Sequence, residues 1–218
     1  MELLQDVSDV IYLDNAATVY PKPPEVMDQM VELYKKYGVN PGRSGYDLCL
    51  VGGDLVETTR KELTRFFGGT DHERLCFAYN ASDALNILIQ GMVEPGAHVI
   101  STMVEHNSVI RPLNTLRHKG VIAVDFVRAD SDCLVDPAEI ARHFRKETKL
   151  VVVNHGSNVV GAVQPIGEIG KLCRERGMWF VVDTAQTAGV VPIHVGERCI
   201  DALAFTGHKS LLGPTGIG

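Results

Sequence analysis

The 218-residue sequence lacks the features that mark membrane and nucleic-acid-binding proteins. Its apolar runs are far shorter than the roughly 20 residues that a membrane-spanning helix needs. The net charge is −6, and no basic segment is interleaved with aromatic residues. We also expect no signal peptide before Ile11. The composition therefore predicts a cytoplasmic protein that binds neither a membrane nor nucleic acid.

Cysteine is scarce and scattered along the chain. The cysteines are Cys49, Cys76, Cys133, Cys173 and Cys199, and no two of them have C-x-x-C spacing. Neither a zinc site nor a disulfide framework is indicated by this spacing. We therefore expect no bound metal.

Motifs of three other enzyme classes are absent or broken. No G-x-S-x-G segment occurs, which disfavours a serine hydrolase. His208 stands where a P-loop requires glycine before Lys209, and the first glycine of that motif is missing as well. Gly213, Gly216 and Gly218 have the wrong order for a dinucleotide fingerprint and do not follow the opening strand.

Apolar and amphipathic segments alternate along the chain, as is typical of α/β proteins. With 45% hydrophobic and 22% charged residues, the chain is able to bury a large core. The predicted helices are 24–37, 53–67, 83–91, 108–119, 137–146 and 166–177, and the predicted strands are 74–78, 98–102, 122–127, 150–153, 179–182 and 202–205. We predict one domain over residues 1–218.

Polar side chains follow three predicted strands where each strand ends. Asn158 lies in the segment after the fourth strand, Asp183 directly follows the fifth, and Lys209 comes shortly after the sixth. A right-handed strand, helix, strand crossover makes such strands parallel and brings their ends to one edge. A partly desolvated lysine there has a lowered pKa and a nucleophilic amine that can form a Schiff base. A solvated surface lysine is the alternative.

This set of side chains matches the needs of an aldehyde cofactor with a pyridine ring. Such a cofactor needs a lysine for its aldehyde, an acid beside the ring nitrogen and donors around the phenolic oxygen. Lys209, Asp183, Asn158 and Gln186 supply these groups. A carboxylate directly after buried apolar residues is costly without a cationic partner, although Asp183 could also be a helix N-cap.

A phosphate on that cofactor would need its own binding site. The segment before the predicted helix 83–91 offers the backbone N–H groups of a helix N-terminus, which bind phosphate well. Thr206 and His208 could complete this site. The alternative is an ordinary N-cap, with Ser82 capping the helix.

Seven motifs in matching order resemble the class V aminotransferase family of fold-type I pyridoxal phosphate enzymes, in particular its cysteine desulfurase and selenocysteine lyase branch. They are YLDNAAT (12–18) with PKPP (21–24), NPGRSG (40–45), NASDALN (80–86), EHN (105–107), SNVVG (157–161), DTAQ (183–186) and TGHK (206–209). The resemblance covers almost the whole chain. It implies a three-layer sandwich with a mainly parallel central sheet and the cofactor pyridoxal 5'-phosphate.

The resemblance implies roles for individual residues. Lys209 would bind the cofactor covalently, Asp183 would pair with its pyridinium nitrogen, and His106 would stack on the ring and assist proton transfer. A lone histidine after a strand can also be a cap or a surface group. The remaining cofactor-binding residues would be Ala81, Ser82, Asn158, Gln186, Thr206 and His208. The substrate-binding residues would be Asn15, Ala16, Arg43 and Asn158, with Arg43 lent across a dimer interface.

The implied reaction removes sulfur from L-cysteine to give alanine and an enzyme persulfide, in a homodimer with shared active sites and a sulfur-acceptor protein. A transaminase or a selenocysteine or cysteine lyase of the same family is the alternative, and a non-catalytic cofactor-binding fragment is another. The family pattern also implies that the domain is truncated here. Its last strand, its small C-terminal domain, the nucleophilic cysteine and the carboxylate-binding arginine would lie beyond residue 218. Residues 1–218 alone would therefore bind the cofactor at most weakly and would be inactive.

The sequence departs from the family pattern at two places. Ala81, Ser82 and Asp83 stand where many relatives have two threonines and a glutamate, so one hydroxyl to the phosphate is lost. Tyr46 stands where a histidine is common. These changes concern phosphate affinity and substrate detail.

Overall fold

The computed structural model describes residues 10–218, in which five parallel strands form one sheet. The first nine residues of the predicted domain 1–218 lie outside the described residues. The strands are β1 (His98–Thr102), β2 (Ala123–Val127), β3 (Thr148–Asn154), β4 (Trp179–Asp183) and β5 (Ala202–Ala204), in the order β2-β1-β3-β4-β5. All four neighbouring pairs are parallel, so the prediction of a mainly parallel sheet is confirmed.

The helices within residues 10–218 are α1 (Pro24–Tyr37), α2 (Asp47–Phe66), α3 (Ala81–Met92), α4 (Asn107–His118), α5 (Pro137–Arg142) and α6 (Ile166–Glu175), with a short 3-10 turn at His72–Arg74. Four of them lie on the two faces of this sheet, α3 and α4 on one face and α5 and α6 on the other. None of the helices in this part of the chain is both long enough and apolar enough to cross a membrane.

Strand β3 shows how the layers form. Its four consecutive apolar residues are fully buried, and successive side chains point to opposite faces. Val151 and Val153 pack with residues of α5 and α6, whereas Leu150 and Val152 pack with residues of α3 and α4. The result is the three-layer sandwich that the resemblance implies, with two cores separated by the sheet.

The crossover from β3 through α6 to β4 determines where the polar strand ends lie. In the parallel register Asn154 is the partner of Asp183, and Asp183 is the partner of Ala204. The ends of β3, β4 and β5 therefore meet at one edge, as the sequence predicts.

The predicted strand 74–78 is wrong. The 3-10 turn at His72–Arg74 occupies its start, and Ala78 exchanges two backbone hydrogen bonds, of 2.7 and 2.8 Å, with Gly218 instead of joining the sheet. Phe77 packs beneath the guanidinium group of Arg60 on α2, 4.8 Å from the ring centroid. A short apolar run does not by itself establish a strand, and residues 75–78 form a partly exposed loop.

Helix α2 begins at Asp47 rather than at residue 53. The glycine pair at 52 and 53, which breaks the helical pattern in the sequence, lies inside the helix. Gly52 is buried, and a Cβ atom there would lie 3.7 Å from Pro41. Tertiary packing at this glycine therefore overrides its low helix propensity.

Gly170 fixes the distance between α6 and the segment that leads to β5. A Cβ atom at Gly170 would lie 2.0 Å from the carbonyl oxygen of Arg198, whereas one at Gly167 would meet only the side chain of that arginine, 3.2 Å from its nearest guanidinium nitrogen. We expect Gly170→Ala to lower the free energy of unfolding by about 1–3 kcal/mol because backbone must move. Gly167→Ala on the same helix is the matched control, expected to be neutral or stabilising by up to about 1 kcal/mol.

Chemical denaturation of both variants measures this difference. Equal stability of the two variants would show that the backbone around Arg198 moves without a cost in free energy and does not fix the position of β5.

Candidate functional site

A cavity of about 370 Å³ lies at the edge where β3, β4 and β5 end. It is lined by residues from separate segments of the chain: Ala16, Ala17, Asn80, Ala81, Ser82, His106, Ser108, Gly156, Asn158, Asp183, Ala185, Gln186, Thr206, His208 and Lys209. All of the predicted cofactor-binding residues are among them. Of the predicted substrate-binding residues, Ala16 and Asn158 line the cavity.

Lys209 enters the cavity from the loop after β5 and is half-buried. Burial lowers the pKa of its amine, and the negative charge of Asp183 acts in the opposite direction. The lysine therefore loses its proton more readily than a surface lysine does, which makes the amine a better nucleophile.

Asp183 is the last residue of β4, and only 4% of its surface is exposed. Its Oδ1 accepts a hydrogen bond of 2.9 Å from the amide of Ala185. Burial raises the pKa of this carboxyl, while the Ala185 amide and the charges of His106 and Lys209 act to lower it. The turn that follows Asp183 is not a helix, so the alternative of a helix N-cap does not apply.

Two helices begin at the cavity. Helix α3 is capped by Asn80, whose Oδ1 accepts from the amide of Asp83 at 3.0 Å, so the alternative of a Ser82 cap is wrong. Ser82 lies instead within the first turn and is exposed at the cavity, next to the buried Ala81. N–H groups in the first turn of a helix attract anions because they have no partner within the helix.

His106 is the N-cap of α4 and also lines the cavity. Its Nδ1 accepts a hydrogen bond of 3.2 Å from the amide of Ser108, so in the neutral ring the proton is on Nε2. The capping role and the predicted role in the site are therefore compatible, since the cap uses one nitrogen and leaves Nε2–H available.

Thr206 and His208 lie on the loop that carries Lys209. Thr206 is buried, and its hydroxyl donates to the carbonyl of Ile217 at 3.4 Å. Burial and the positive charges of Lys209 and Lys22 lower the pKa of His208. A neutral imidazole is thereby favoured next to the lysine.

Residues near the start of the described chain close one side of the cavity. Gln186 Nε2 donates to the carbonyl of Ala16 at 2.9 Å, so this amide holds the N-terminal segment. The His208 carbonyl accepts bonds from the Thr18 hydroxyl, at 3.0 Å, and from the Lys22 ammonium. Sequence reasoning missed Thr18 and Lys22, although both lie in the quoted motifs.

Asn15 and Arg43 are not among the described residues that line the cavity. Asn15 Oδ1 accepts from the amide of Tyr20 at 3.3 Å, which shapes the N-terminal segment. Arg43 is exposed in the loop before α2. Their predicted roles in substrate binding stay predictions.

Sequence reasoning also missed Glu105, which is 8% exposed and lies directly before His106. Burial raises the pKa of its carboxyl to about 8, with a smaller contribution in the same direction from Asp183. Glu105 lies in the quoted EHN motif, but the motif does not show its hydrogen-bond partners, which come from the ends of β1 and β3.

The side chains of the cavity fit a ligand that carries both an anionic group and a cationic ring. The helix N-termini suit the anion, and the buried carboxylate of Asp183 suits a positively charged N–H group. The half-buried amine of Lys209 suits an aldehyde.

The family model described as aminotransferase class-V matches residues 11–218. A probable cysteine desulfurase of Methanothermobacter thermautotrophicus is 37% identical to this chain, over 96% of the chain and 52% of the relative. The cysteine desulfurase IscS of Vibrio campbellii is 35% identical, over 95% of the chain and 52% of the relative. The chain thus spans about half the length of these relatives.

Solved structures share the fold closely. The apo structure of cysteine desulfurase from Thermococcus onnurineus NA1 superposes with a TM-score of 0.89 at 34% identity, over 95% of this chain and 52% of that one. SspA in complex with cysteine has a TM-score of 0.89 at 26% identity, over 95% of this chain and 59% of that one.

Proposed function

Because this chain belongs to the aminotransferase class-V family, we propose that it binds pyridoxal 5'-phosphate in the cavity and takes part in removing sulfur from L-cysteine. The observation that carries the proposal is the presence of Lys209 and Asp183 in one cavity, with the charge of each acting on the pKa of the other. The similarity to cysteine desulfurases supports the choice of substrate.

The residues of the cavity would bind the cofactor from three sides. Lys209 would hold its aldehyde carbon, and Asp183 would accept a hydrogen bond from its ring N–H. The first turn of α3, at Ala81 and Ser82, would bind the phosphate together with Thr206 and His208. When bound, the pyridinium ring withdraws electrons from the bonds around the substrate α-carbon.

Asp183 would preserve the positive charge of the ring nitrogen. Its carboxylate is fixed by the Ala185 amide and shielded from water, so it offers a cation a strong partner at low dielectric. Its raised pKa reflects the cost of burying this charge alone, a cost that a bound cation offsets.

Proton movement would use Lys209 and His106. The lowered pKa of Lys209 lets its amine take up a proton from the substrate and return it. The Nε2–H of His106 would face the ring and the substrate while Nδ1 stays bound to the helix. Asn158, at the cavity wall, and Gln186 would lie near the phenolic oxygen.

The sulfur-accepting thiolate must come from elsewhere. None of the cysteines within residues 10–218 lines the cavity. In the proposed reaction a thiolate would attack the substrate sulfur and form the S–S bond of an enzyme persulfide. The bond between sulfur and the β-carbon would break, its electron pair would stay with the carbon fragment, and a proton taken up by carbon would complete alanine. We therefore assign this thiolate, and the arginine for the substrate carboxylate, to residues outside this part of the chain.

A homodimer also belongs to the proposal. Helix α1 has no buried residue within the described chain, and apolar side chains are exposed on α1 and α2. They include Met30, Val31, Leu33, Tyr34, Leu48 and Leu50. Exposed apolar surface of this kind favours association, and sedimentation analysis of the full chain tests it.

A sulfur-acceptor protein, the cytoplasmic location and the assignment of residues 1–218 to the large domain stay predictions.

Supplying L-cysteine and pyridoxal phosphate to a protein that contains residues 1–218 together with the sulfur-accepting cysteine tests the function. With a thiol reductant present, we expect sulfide and alanine in equal amounts. Formation of a keto acid would indicate transamination instead. Cofactor binding without any product would support the alternative of a binding module.

A further inference from the structure

Glu105 connects two strand ends behind the cavity. Its Oε1 accepts a hydrogen bond of 2.5 Å from the Thr102 hydroxyl and one of 3.0 Å from the Asn154 amide. Thr102 is the last residue of β1, and Asn154 is the last residue of β3. One buried oxygen atom therefore holds the ends of both strands together.

The amide of Asn154 needs this acceptor. The last register pair between β1 and β3 is Ile100 with Val151, so the backbone hydrogen bonds between these strands end before Asn154. On the other side of β3, Asn154 is the register partner of Asp183, and the next amide, that of His155, donates to the Asp183 carbonyl at 2.8 Å. Glu105 thus fixes the backbone beside Asp183.

The surroundings of the Glu105 carboxyl favour its neutral, protonated form. Its Oε2 has no hydrogen-bond partner among residues 10–218, and an unpaired buried charge is costly. Burial, and to a smaller extent the charge of Asp183, raise the pKa of Glu105 to about 8, against the hydrogen bonds from Thr102 and Asn154. Burial raises the pKa of Asp183 as well, but the charges of His106 and Lys209 act in the opposite direction there.

We propose that Glu105 is a positioning residue that stays a neutral carboxylic acid and, through the Asn154 amide, holds the strand ends beside Asp183 in place. This inference rests on the proposed binding of pyridoxal phosphate at Asp183. A neutral Glu105 supplies the acceptor oxygen without adding a second negative charge near Asp183. A cationic ring bound in the cavity would then favour the charged form of Asp183, which lines the cavity, without competition from a charge on Glu105.

The first experiment follows the carboxyl itself. In full chain labelled with ¹³C at glutamate carboxyls, the Glu105 signal, assigned by its loss in Glu105→Gln, is expected to titrate near pH 8. Thr102→Val removes the strongest hydrogen bond that lowers this pKa, so the midpoint is expected to rise. A midpoint near 4.5, the ordinary value, would overturn the inference.

The second experiment separates the neutral acceptor from the charge. Glu105→Gln keeps the acceptor oxygen, so amide exchange at Asn154 and the affinity for pyridoxal phosphate are expected to stay within about threefold of wild type. Glu105→Ala leaves the Asn154 amide unpaired, and we expect exchange and cofactor dissociation each to be about tenfold faster. Glu94→Gln, at an exposed glutamate between α3 and β1, is the control for loss of an acidic group.

The titration and amide exchange test the role of Glu105, whereas cofactor binding by wild type tests the proposed function. If Glu105→Gln loses amide protection as Glu105→Ala does, the charged form is needed and the inference is wrong. Amide exchange and the titration could behave as expected in a wild type that does not bind pyridoxal phosphate. In that case the proposed function fails, while the assignment of Glu105 as a neutral positioning residue holds. If Glu105→Ala does not fold, the results for Glu105→Gln and Thr102→Val still show whether Glu105 is a neutral hydrogen-bond acceptor.

Discussion

In a protein that also contains the sulfur-accepting cysteine, replacing Lys209 with alanine is expected to lower turnover of L-cysteine by at least about a thousandfold. The amine is the one candidate nucleophile for an aldehyde among the residues that line the cavity, and its lowered pKa prepares it for that role. Borohydride reduction in the presence of pyridoxal phosphate, followed by peptide mass analysis, is expected to place the label on Lys209 in wild type. The variant should carry no label at that peptide.

Two further variants separate loss of the amine from loss of a charge. Lys209→Arg retains the positive charge but has no amine that deprotonates, so we expect it to be as inactive as the alanine variant. Lys171→Ala, at an exposed lysine on α6, should keep full activity. Wild-type turnover in Lys209→Arg, or labelling of another lysine in wild type, would rule out the central role of Lys209.

Asp183→Asn is expected to reduce turnover by about a hundredfold or more, which corresponds to roughly 2.7 kcal/mol of transition-state stabilisation. Asparagine fills the same volume and can still accept from the Ala185 amide, so the fold is preserved. It carries no charge, however, and the pyridinium nitrogen loses the partner that keeps its proton. The measurement is kcat together with the affinity for pyridoxal phosphate.

The pH dependence of the absorbance of the bound cofactor is a second readout for Asp183. In Asp183→Asn the ring nitrogen is expected to lose its proton at lower pH than in wild type, because the neutral amide does not stabilise the cation. Asp132→Asn, at an exposed aspartate before α5, should leave both activity and spectrum unchanged. An Asp183→Asn enzyme with the wild-type spectrum and rate would contradict the pairing.

The sequence is sufficient to predict the central part of this architecture. Buried apolar runs and an intervening amphipathic helix establish β3, α6 and β4, and the handedness of the crossover then brings their ends to one edge. Asp183 follows such a run directly and Lys209 comes shortly after another, so their meeting in one cavity is predictable. The bounds of α1 and β1 also agree with the prediction.

Other features depend on contacts between distant residues and leave no local pattern. Glu105 is defined by its bond to Asn154, 49 residues away, and Lys22 by its bond to His208, 186 residues away. Residues 75–78 look like a strand because they are apolar, but their partners are Arg60 and Gly218. Local periodicity does not encode such partners.

The bonds from Thr18 and Lys22 to the His208 carbonyl determine when the cavity can exist during synthesis. The Thr18 and His208 partners are 190 residues apart, so the wall that they share closes only after residues near 208 have left the ribosome. On the proposed function, a nascent chain that has folded only its first strands would therefore have no complete site for the cofactor. Binding of pyridoxal phosphate would stabilise the finished domain by mass action and would not guide its early folding.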